Sequence, residues 1–285
     1  MKWVEIAVDA APDSRDAASN VLIEEGCAGT AVGSDTGVLG YLPVDDRLEI
    51  RLDAIRVRVL RLPEFGLPLG STDISVRFVH DDGWATAWKQ FFKPVRIGRI
   101  VVKPSWEEYA AIPGDVIIDL DPGMAFGTGY HPTTQMCLAI LQDRIQGGET
   151  VLDVGTGSGI LAIAAIKLGA ARAVGIDVDS VAVEVAIENV KRERLEDRVE
   201  IVRADSPAAF EGEADVVVAN IIARTIIEMA VDLRDKVKRG GYLITSGIIA
   251  ERADEVRAAL EPVGLATKDV RCDGEWAALI SRRMD

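Results

Sequence analysis

The spacing of apolar and polar positions divides the chain into two parts with different patterns. Over the first 80 residues it predicts the order strand, helix, strand, strand, helix, strand, at residues 2–9, 13–25, 28–32, 37–42, 47–62 and 73–80. This order is typical of the split βαβ arrangement. Residues 1–80 are therefore predicted to form a small ferredoxin-like α+β domain.

From residue 149 onward, predicted strands and helices alternate. The strands are 150–154, 173–176, 199–203, 215–219 and 241–246, and the helices are 160–168, 181–194, 221–237 and 252–262. Such alternation predicts a mostly parallel sheet with helices on both faces. The last two strands, 266–272 and 276–281, are joined at Asp273-Gly274, which is typical of an antiparallel hairpin. The expected fold class is α/β, with a seven-stranded Rossmann-like domain over residues 95–285 that follows the smaller domain.

Between these two parts lies a segment rich in aromatic residues, 81–94. Trp84, Trp88, Phe91 and Phe92 recur at roughly helical spacing. The segment is therefore predicted to be a linker helix that packs against both domains, and its aromatic side chains are interpreted as packing residues rather than ligand contacts.

The charge of the chain narrows its possible partners. The formal net charge is −14; residues 1–94 carry 10 basic and 15 acidic side chains, and the remainder carries 22 and 31. Acidity spread over both parts repels phosphates and argues against a direct nucleic-acid site. It can attract a basic protein, although solubility alone would also account for it.

Cysteine usage and hydropathy indicate a cytoplasmic protein. Cys27, Cys137 and Cys272 form no C-x-x-C pair and are odd in number, which argues against a disulfide framework and a metal site. The most apolar run, residues 216–231, is interrupted by Asn220, Arg224 and Glu228, so we expect no membrane span. Acidic residues within the N-terminal apolar stretch also argue against a signal peptide.

A glycine-rich loop, Asp153-Val-Gly155-Thr-Gly157-Ser-Gly159, directly follows a β-branched strand and opens a helix. Open α/β sheets bind ligands at this place, and glycine lets a ligand approach the backbone. A dinucleotide fingerprint needs G-x-G-x-x-G, but Ile160 stands where the last glycine would fall. The spacing G-x-G-x-G favours S-adenosylmethionine, although a tight turn without a ligand is the structural alternative.

Polar residues follow the next strands. Asp177 can accept hydrogen bonds from both ribose hydroxyls of a nucleoside, as the equivalent acid does in nicotinamide enzymes, whereas Asp179 is predicted to cap the next helix. Asp205 follows the third strand, where it either lies near the adenine or serves as a capping or solvent-exposed acid. Asn220 ends an apolar strand and is predicted to orient a substrate nitrogen by accepting its hydrogens.

The most specific segment is residues 121–134, DPGMAFGTGYHPTT, with three glycines, two prolines and one of only two histidines. Such a segment is predicted to close over a ligand as a lid. Phe126 is a candidate to cover an aromatic or sulfonium group. His131 is either a catalytic base or a hydrogen-bonded structural histidine.

These segments together resemble one family, the bacterial methyltransferases that modify large-subunit ribosomal protein eleven. The resemblance covers nearly the whole chain, and residues 121–134 are its most specific part. The segments that carry it are Trp88-Lys-Gln-Phe-Phe-Lys-Pro94, Pro104-Ser-Trp106, 121–134, 153–161, Gly175-Ile-Asp177 and Asn220-Ile-Ile-Ala223. The chain departs from the family pattern at Tyr130, where threonine or histidine is common, and at Met124, where leucine is common.

The resemblance implies a ferredoxin-like domain that grips the ribosomal protein, a linker, and a seven-stranded class I methyltransferase domain. It implies S-adenosylmethionine-dependent methylation of lysine side-chain and N-terminal amines. The candidate catalytic residues are Asn220 and His131. The candidate cofactor residues are Phe126, Gly127, Gly129, Thr134, Gly155, Gly157, Asp177, Asp205 and Asn220. We expect no metal and a monomer.

Three alternatives remain. A related lysine methyltransferase, such as the one resembling this catalytic domain that acts on electron-transfer flavoprotein, would have another protein substrate. A nicotinamide-dependent dehydrogenase would share the fold. A ribosome-binding assembly factor without catalysis would keep the first domain but would not need an intact glycine loop.

Overall fold

A computed structural model describes residues 3–32, 37–44, 48–79, 93–121 and 129–284. The chain divides into two compact units, residues 1–92 and 93–285. Of the predicted linker helix, 81–94, only residues 93 and 94 lie among the described residues, and these two are neither helix nor strand.

The first unit follows the predicted order of elements. Its elements are β1 (Trp3–Ala10), α1 (Arg15–Glu24), β2 (Thr30–Val32), β3 (Val38–Pro43), α2 (Leu48–Leu60) and β4 (Leu69–Val79). The sheet order is β2-β3-β1-β4, and all neighbouring strands are antiparallel. Because side chains alternate between the faces of a strand, Val4, Ile6 and Val8 all enter one core, which Leu22 and Ile55 of the two helices complete.

The second unit contains the alternating pattern. Its elements are β5 (Val95–Ile97), β6 (Ile100–Lys103), β7 (Val116–Asp119), α3 (Pro132–Arg144), β8 (Thr150–Val154), α4 (Ile160–Leu168), β9 (Arg172–Asp177), α5 (Ser180–Arg192), β10 (Val199–Arg203), β11 (Ala214–Asn220), α6 (Ala223–Glu228), α7 (Ala230–Lys236), β12 (Val237–Ile249), α8 (Ala253–Leu260), β13 (Leu265–Asp273) and β14 (Trp276–Arg283). The main sheet has the order β10-β9-β8-β11-β12-β14-β13 among the described residues.

The main sheet is mixed. Strands β8 to β12 pair in parallel, and β14 returns antiparallel to both β12 and β13. The predicted hairpin is confirmed, with Asp273 opposite Trp276 and Gly274 at φ +56° in its turn. Hydrophobic cores lie on both faces of the sheet, as the alternation predicted, and the carboxyl ends of β8, β9, β10 and β11 share one edge.

Two predictions for this unit were wrong in extent, and one small sheet was not predicted. The single helix over 221–237 is two helices separated at Met229, and residue 237 already belongs to β12. β12 is longer than the predicted 241–246 because Gly240, at φ +76°, and Gly241 continue the strand instead of ending a loop before it. The small sheet β5-β6-β7 had no counterpart in the sequence pattern, since its strands have only three or four residues.

No helix within the described ranges is long and apolar enough to cross a membrane.

Candidate active site

The glycine-rich loop crosses the carboxyl edge of the sheet from β8 to α4. The backbone N–H groups of Gly155 and Thr156 both donate to the carbonyl of Ile176, at 2.9 Å, which ties the loop to β9. Gly155 has φ +72°, a conformation that residues other than glycine rarely adopt. From α5, the amide of Asn189 donates to the carbonyl of Ser158 at 2.9 Å. The loop is therefore held by both neighbouring elements.

Asp177 binds the same loop through its carboxylate. Its Oδ2 accepts from the N–H of Gly157 at 2.9 Å, and its Oδ1 accepts from the N–H of Asp179 at 3.0 Å. Each carboxylate oxygen can accept more than one hydrogen, so the side chain keeps capacity for hydroxyl groups. Asp179 accepts from the N–H of Val181 at 2.9 Å, which confirms it as the helix cap.

Asp153, which precedes the loop, is fully buried. Its Oδ2 accepts a hydrogen bond from the hydroxyl of Thr156 at 2.7 Å. Burial raises the pKa of Asp153 to about 7; the Thr156 hydroxyl and the N–H of Ala162 oppose that rise, and the charge of Asp177 adds to it. The carboxyl group thus fixes the loop from inside the protein. The spacing of the motif did not indicate that this residue is buried.

Asn220 ends β11 opposite Ser246 of β12. Its Nδ2 donates to Oγ1 of Thr134, a fully buried residue of α3, at 3.3 Å. Its Oδ1 is buried and finds no hydrogen-bond partner within the described part of the chain. A buried acceptor of this kind costs free energy unless it is paired. The site therefore presents an unpaired acceptor at the edge where the glycine loop lies.

His131 caps helix α3, so residues 132–134 of the predicted lid over 121–134 belong to a helix instead. Pro132 is the first helical residue, and Thr134 belongs to the first turn. Nδ1 of His131 accepts from the N–H of Thr133 at 3.3 Å and lies 2.7 Å from its hydroxyl. The ring also packs edge-on against Trp276, with 4.9 Å between centroids. These contacts favour the structural interpretation of His131.

Contacts hold the chain on both sides of the undescribed residues 122–128. Asp121 accepts from the N–H of Ser105 at 2.6 Å and pairs with Arg192 at 2.9 Å. After the segment, the hydroxyl of Tyr130 donates to the carbonyl of Lys93 at 2.7 Å. Phe126 and Gly127, two of the predicted cofactor residues, lie outside the described residues.

The remaining candidates lie at the rim. Gly129 is buried against Val102 with φ +86°, and Asp205 is exposed directly after β10, where Ser206 rather than Asp205 caps the following turn. The described residues contain no cluster of His, Cys, Asp or Glu side chains that would hold a metal ion.

The site has two halves, one on each side of the boundary between β8 and β11. Gly155, Gly157 and Asp177 belong to the β8–β9 half, and Asn220 and Thr134 belong to the β11–α3 half. Sequence reasoning missed Ile221, which connects the halves. A Cβ built on Gly155 would lie 2.3 Å from its Cγ2. The feature that could have identified Ile221 in the sequence is a β-branched residue directly after Asn220.

Comparison with known proteins agrees with this geometry. The family model described as ribosomal protein L11 methyltransferase (PrmA) matches residues 2–284. A ribosomal protein L11 methyltransferase of Alkaliphilus oremlandii is 40% identical over 99% of both chains, and that of Desulforamulus reducens is 41% identical over 98% of both. The crystal structure of a ribosomal protein L11 methylase from Lactobacillus delbrueckii subsp. bulgaricus is 32% identical, with a TM-score of 0.61, and covers 68% of this chain and 100% of that one. This chain belongs to the ribosomal protein L11 methyltransferase family.

Proposed function

We propose that this protein transfers methyl groups from S-adenosylmethionine to lysine side-chain and N-terminal amines of ribosomal protein L11. Its family and its relatives' names support this substrate. The observation that carries the proposal is the buried, unpaired Oδ1 of Asn220, at the same sheet edge as the glycine loop. An acceptor there suits an amine, which brings N–H donors.

The residues present fit S-adenosylmethionine. The glycine loop brings a partly exposed Gly155 to the carboxyl edge of the sheet, and Asp177 has acceptor capacity left for ribose hydroxyls. We assign cofactor contacts to Phe126, Gly127, Gly129, Thr134, Gly155, Gly157, Asp177, Asp205 and Asn220. When bound, the cofactor supplies an electrophilic methyl group on a sulfonium centre.

Asn220 orients the amine. A lysine amine has a pKa near 10.4 and is nucleophilic only after it loses a proton. By accepting one N–H at Oδ1, Asn220 fixes the direction of the nitrogen lone pair, and Thr134 fixes the amide by accepting from Nδ2. Most of the rate then comes from positioning. His131 already uses Nδ1 to cap α3, so the amine proton passes to solvent rather than to this ring.

The two units divide the work. We infer that residues 1–80 form a ferredoxin-like domain that recognises the ribosomal protein, and that residues 95–285 are a seven-stranded class I methyltransferase domain. The strand orders β2-β3-β1-β4 and β10-β9-β8-β11-β12-β14-β13 support these assignments. The negative net charge suits a basic ribosomal protein. We expect a monomer that acts in the cytoplasm, on L11 either free or within the ribosome.

Intact mass spectrometry of L11 tests the proposal. After incubation with enzyme and methyl donor, we expect additions in steps of one methyl group. An unmodified L11, with another cytosolic protein labelled instead, would redirect the substrate assignment. Failure to bind S-adenosylmethionine by calorimetry would favour an assembly factor, and quenched or shifted NADH fluorescence would favour a dehydrogenase.

A further inference from the structure

Ile221 is seated between two glycines that come from different parts of the second unit. A Cβ built on Gly155, in the cofactor loop, would lie 2.3 Å from Ile221 Cγ2. A Cβ built on Gly247, in β12, would lie 2.7, 3.0 and 3.1 Å from the backbone O, C and N atoms of Ile221. The side chain of Ile221 therefore occupies the space above one glycine, and its backbone occupies the space above the other.

Both glycines adopt the left-handed backbone conformation. Gly155 has φ +72° and Gly247 has φ +78°. Gly247 lies where the pairing of β12 with β14 shifts register, between Thr245 and Ile248. A bulge of this kind re-aims the strand beside a site. In this case it lets β12 approach the turn that follows Asn220.

This seat bears directly on Asn220, because Ile221 is the next residue in the chain. The Asn220 side chain is fixed by Thr134. Its backbone is fixed by pairing with Ser246, and the following residue lies with its backbone against Gly247 and its side chain against Gly155. The pairing of β8 with β11 ends at Val154 and Ala219, and beyond that point the Ile221 side chain lies against the cofactor loop at Gly155.

We propose that Ile221 is a positioning residue, which fixes the Asn220 amide relative to the cofactor loop beyond the end of the β8–β11 pairing, through its contacts with Gly155 and Gly247. This inference rests on the proposed methyl transfer. Ile221 acts through Asn220, so its loss lowers the rate of transfer while the cofactor's own contacts remain.

The backbone contact is tested by Gly247→Ala. The new methyl group would meet backbone atoms, so the turn after Asn220 must move. Gly264→Ala is the matched control, because Gly264 has φ +90° but no atom within 4 Å of an added Cβ. Both substitutions carry the strain of a left-handed alanine, and only the first displaces Ile221.

The side-chain contact is tested by a second matched pair. Ile221→Val keeps the methyl branch on Cβ that lies above Gly155, whereas Ile221→Leu removes that branch and keeps the number of carbons. A Gly155→Ala, Ile221→Leu double variant then removes the clash that Gly155→Ala creates. We expect the second substitution to restore part of the thermal stability and cofactor affinity that the first one costs.

The experiment uses the full chain with S-adenosylmethionine and L11, and measures kcat, cofactor Kd by calorimetry, and Tm. We expect Gly247→Ala and Ile221→Leu to lower kcat by about tenfold or more, since misplacement by about 1 Å can cost 10²-fold. Their cofactor Kd should stay close to that of the wild type, because an interaction that acts only on the transfer step lowers kcat without weakening cofactor binding. Gly264→Ala and Ile221→Val should keep kcat near that of the wild type.

The outcomes separate the two proposals. A wild-type chain that leaves L11 unmethylated removes the proposed function. An active wild type with equal kcat in the Gly247→Ala and Gly264→Ala variants overturns the inference alone. Additive losses in the Gly155→Ala, Ile221→Leu double variant would also overturn it.

Discussion

The amide Nδ2 of Asn220 and the hydroxyl Oγ1 of Thr134 lie 3.3 Å apart, although 86 positions separate the two residues. One residue ends β11 and the other lies in the first turn of α3. Because Thr134 accepts from Nδ2, the buried amide oxygen Oδ1 is the atom of this side chain that has no hydrogen-bond partner among the described residues. The orientation of the Asn220 amide therefore depends on a hydroxyl from a different element.

Replacing Thr134 by valine keeps the shape of the residue and removes the hydroxyl. The buried Nδ2 of Asn220 would lose its acceptor, which costs about 1–3 kcal/mol when a buried donor is left unpaired. We expect kcat to fall roughly tenfold or more, since 1.4 kcal/mol corresponds to a factor of ten. Steady-state kinetics with L11 would measure this. Thr134→Ser keeps a hydroxyl and should retain most of the activity; equal losses in both variants would contradict the assignment.

Replacing Asn220 by alanine should affect turnover more than cofactor binding. The variant loses the acceptor that orients the amine, and a loss of positioning can cost on the order of 10²-fold in rate. Calorimetry with S-adenosylmethionine and kinetics with L11 measure the two effects separately. Turnover equal to that of the wild type would remove Asn220 from the mechanism.

Replacing Asp177 by alanine should weaken cofactor binding and destabilise the protein. The carboxylate accepts from the N–H groups of Gly157 and Asp179, and hydrogen bonds to charged groups contribute about 1.5–3 kcal/mol each. The variant would therefore bind S-adenosylmethionine less tightly and melt at a lower temperature. Asp177→Asn keeps one acceptor oxygen, so its cofactor affinity and its Tm should lie between those of the wild type and those of the alanine variant. Unchanged affinity in the alanine variant would sink the cofactor role of Asp177.

Replacing Asp153 by asparagine should change the pH dependence of stability. Burial raises the pKa of Asp153 from its ordinary value of 3.8 to about 7, so the folded state holds a proton that the unfolded state has lost. The unfolding free energy contributed by this group therefore falls as pH rises from about 4 to about 7. Asparagine removes that fall and still accepts from Thr156.

Denaturant unfolding at several pH values measures this effect. The stability of Asp153→Asn relative to wild type should increase between pH 5 and pH 8, by an amount on the order of a few kcal/mol. A difference that stays constant over this range would show that Asp153 does not hold a proton in the folded protein.

Native cysteine reactivity should single out Cys272. Cys27 and Cys137 are buried, and burial raises the pKa of both thiols to about 12, whereas Cys272 is exposed. Thiolates react and buried thiols do not. Iodoacetamide at pH 8 should therefore add one group to the native protein and three to the denatured one, as read by intact mass. Cys272→Ser should remove the native addition. Rapid labelling of Cys137 would indicate that the core beneath α3 opens readily.

Much of the architecture follows from local patterns. Helix α5 and its cap at Asp179 were predicted because the cap, the apolar spacing and the preceding strand lie next to one another in the sequence. The hairpin at Gly274 was predicted for the same reason. The glycine loop was placed correctly between β8 and α4, because glycine and β-branched residues have strong backbone preferences.

The missed features depend on distant partners. Met229 separates two helices in a region whose apolar spacing is helical throughout. The hydrogen bond between Asn220 and Thr134 joins residues that lie far apart in the sequence. The contact of Ile221 with Gly247 depends on how β11 and β12 are paired in the sheet. The role of His131 could not be predicted, because the same residue type can cap a helix or act as a base. The two roles differ in what Nδ1 contacts, which the sequence does not show.

The two halves of the site suggest how this enzyme would be retargeted. The glycine loop and Asp177 are hydrogen-bonded to one another and to β9, so the proposed cofactor half of the site is held together by its own contacts. The proposed amine half draws on β11, α3 and β12, and Ile221 contacts the cofactor half beyond the end of the β8–β11 pairing. To change the amine substrate, one would therefore vary the half that contains Asn220 and Thr134. The glycine loop, Asp177 and Ile221 would be kept unchanged.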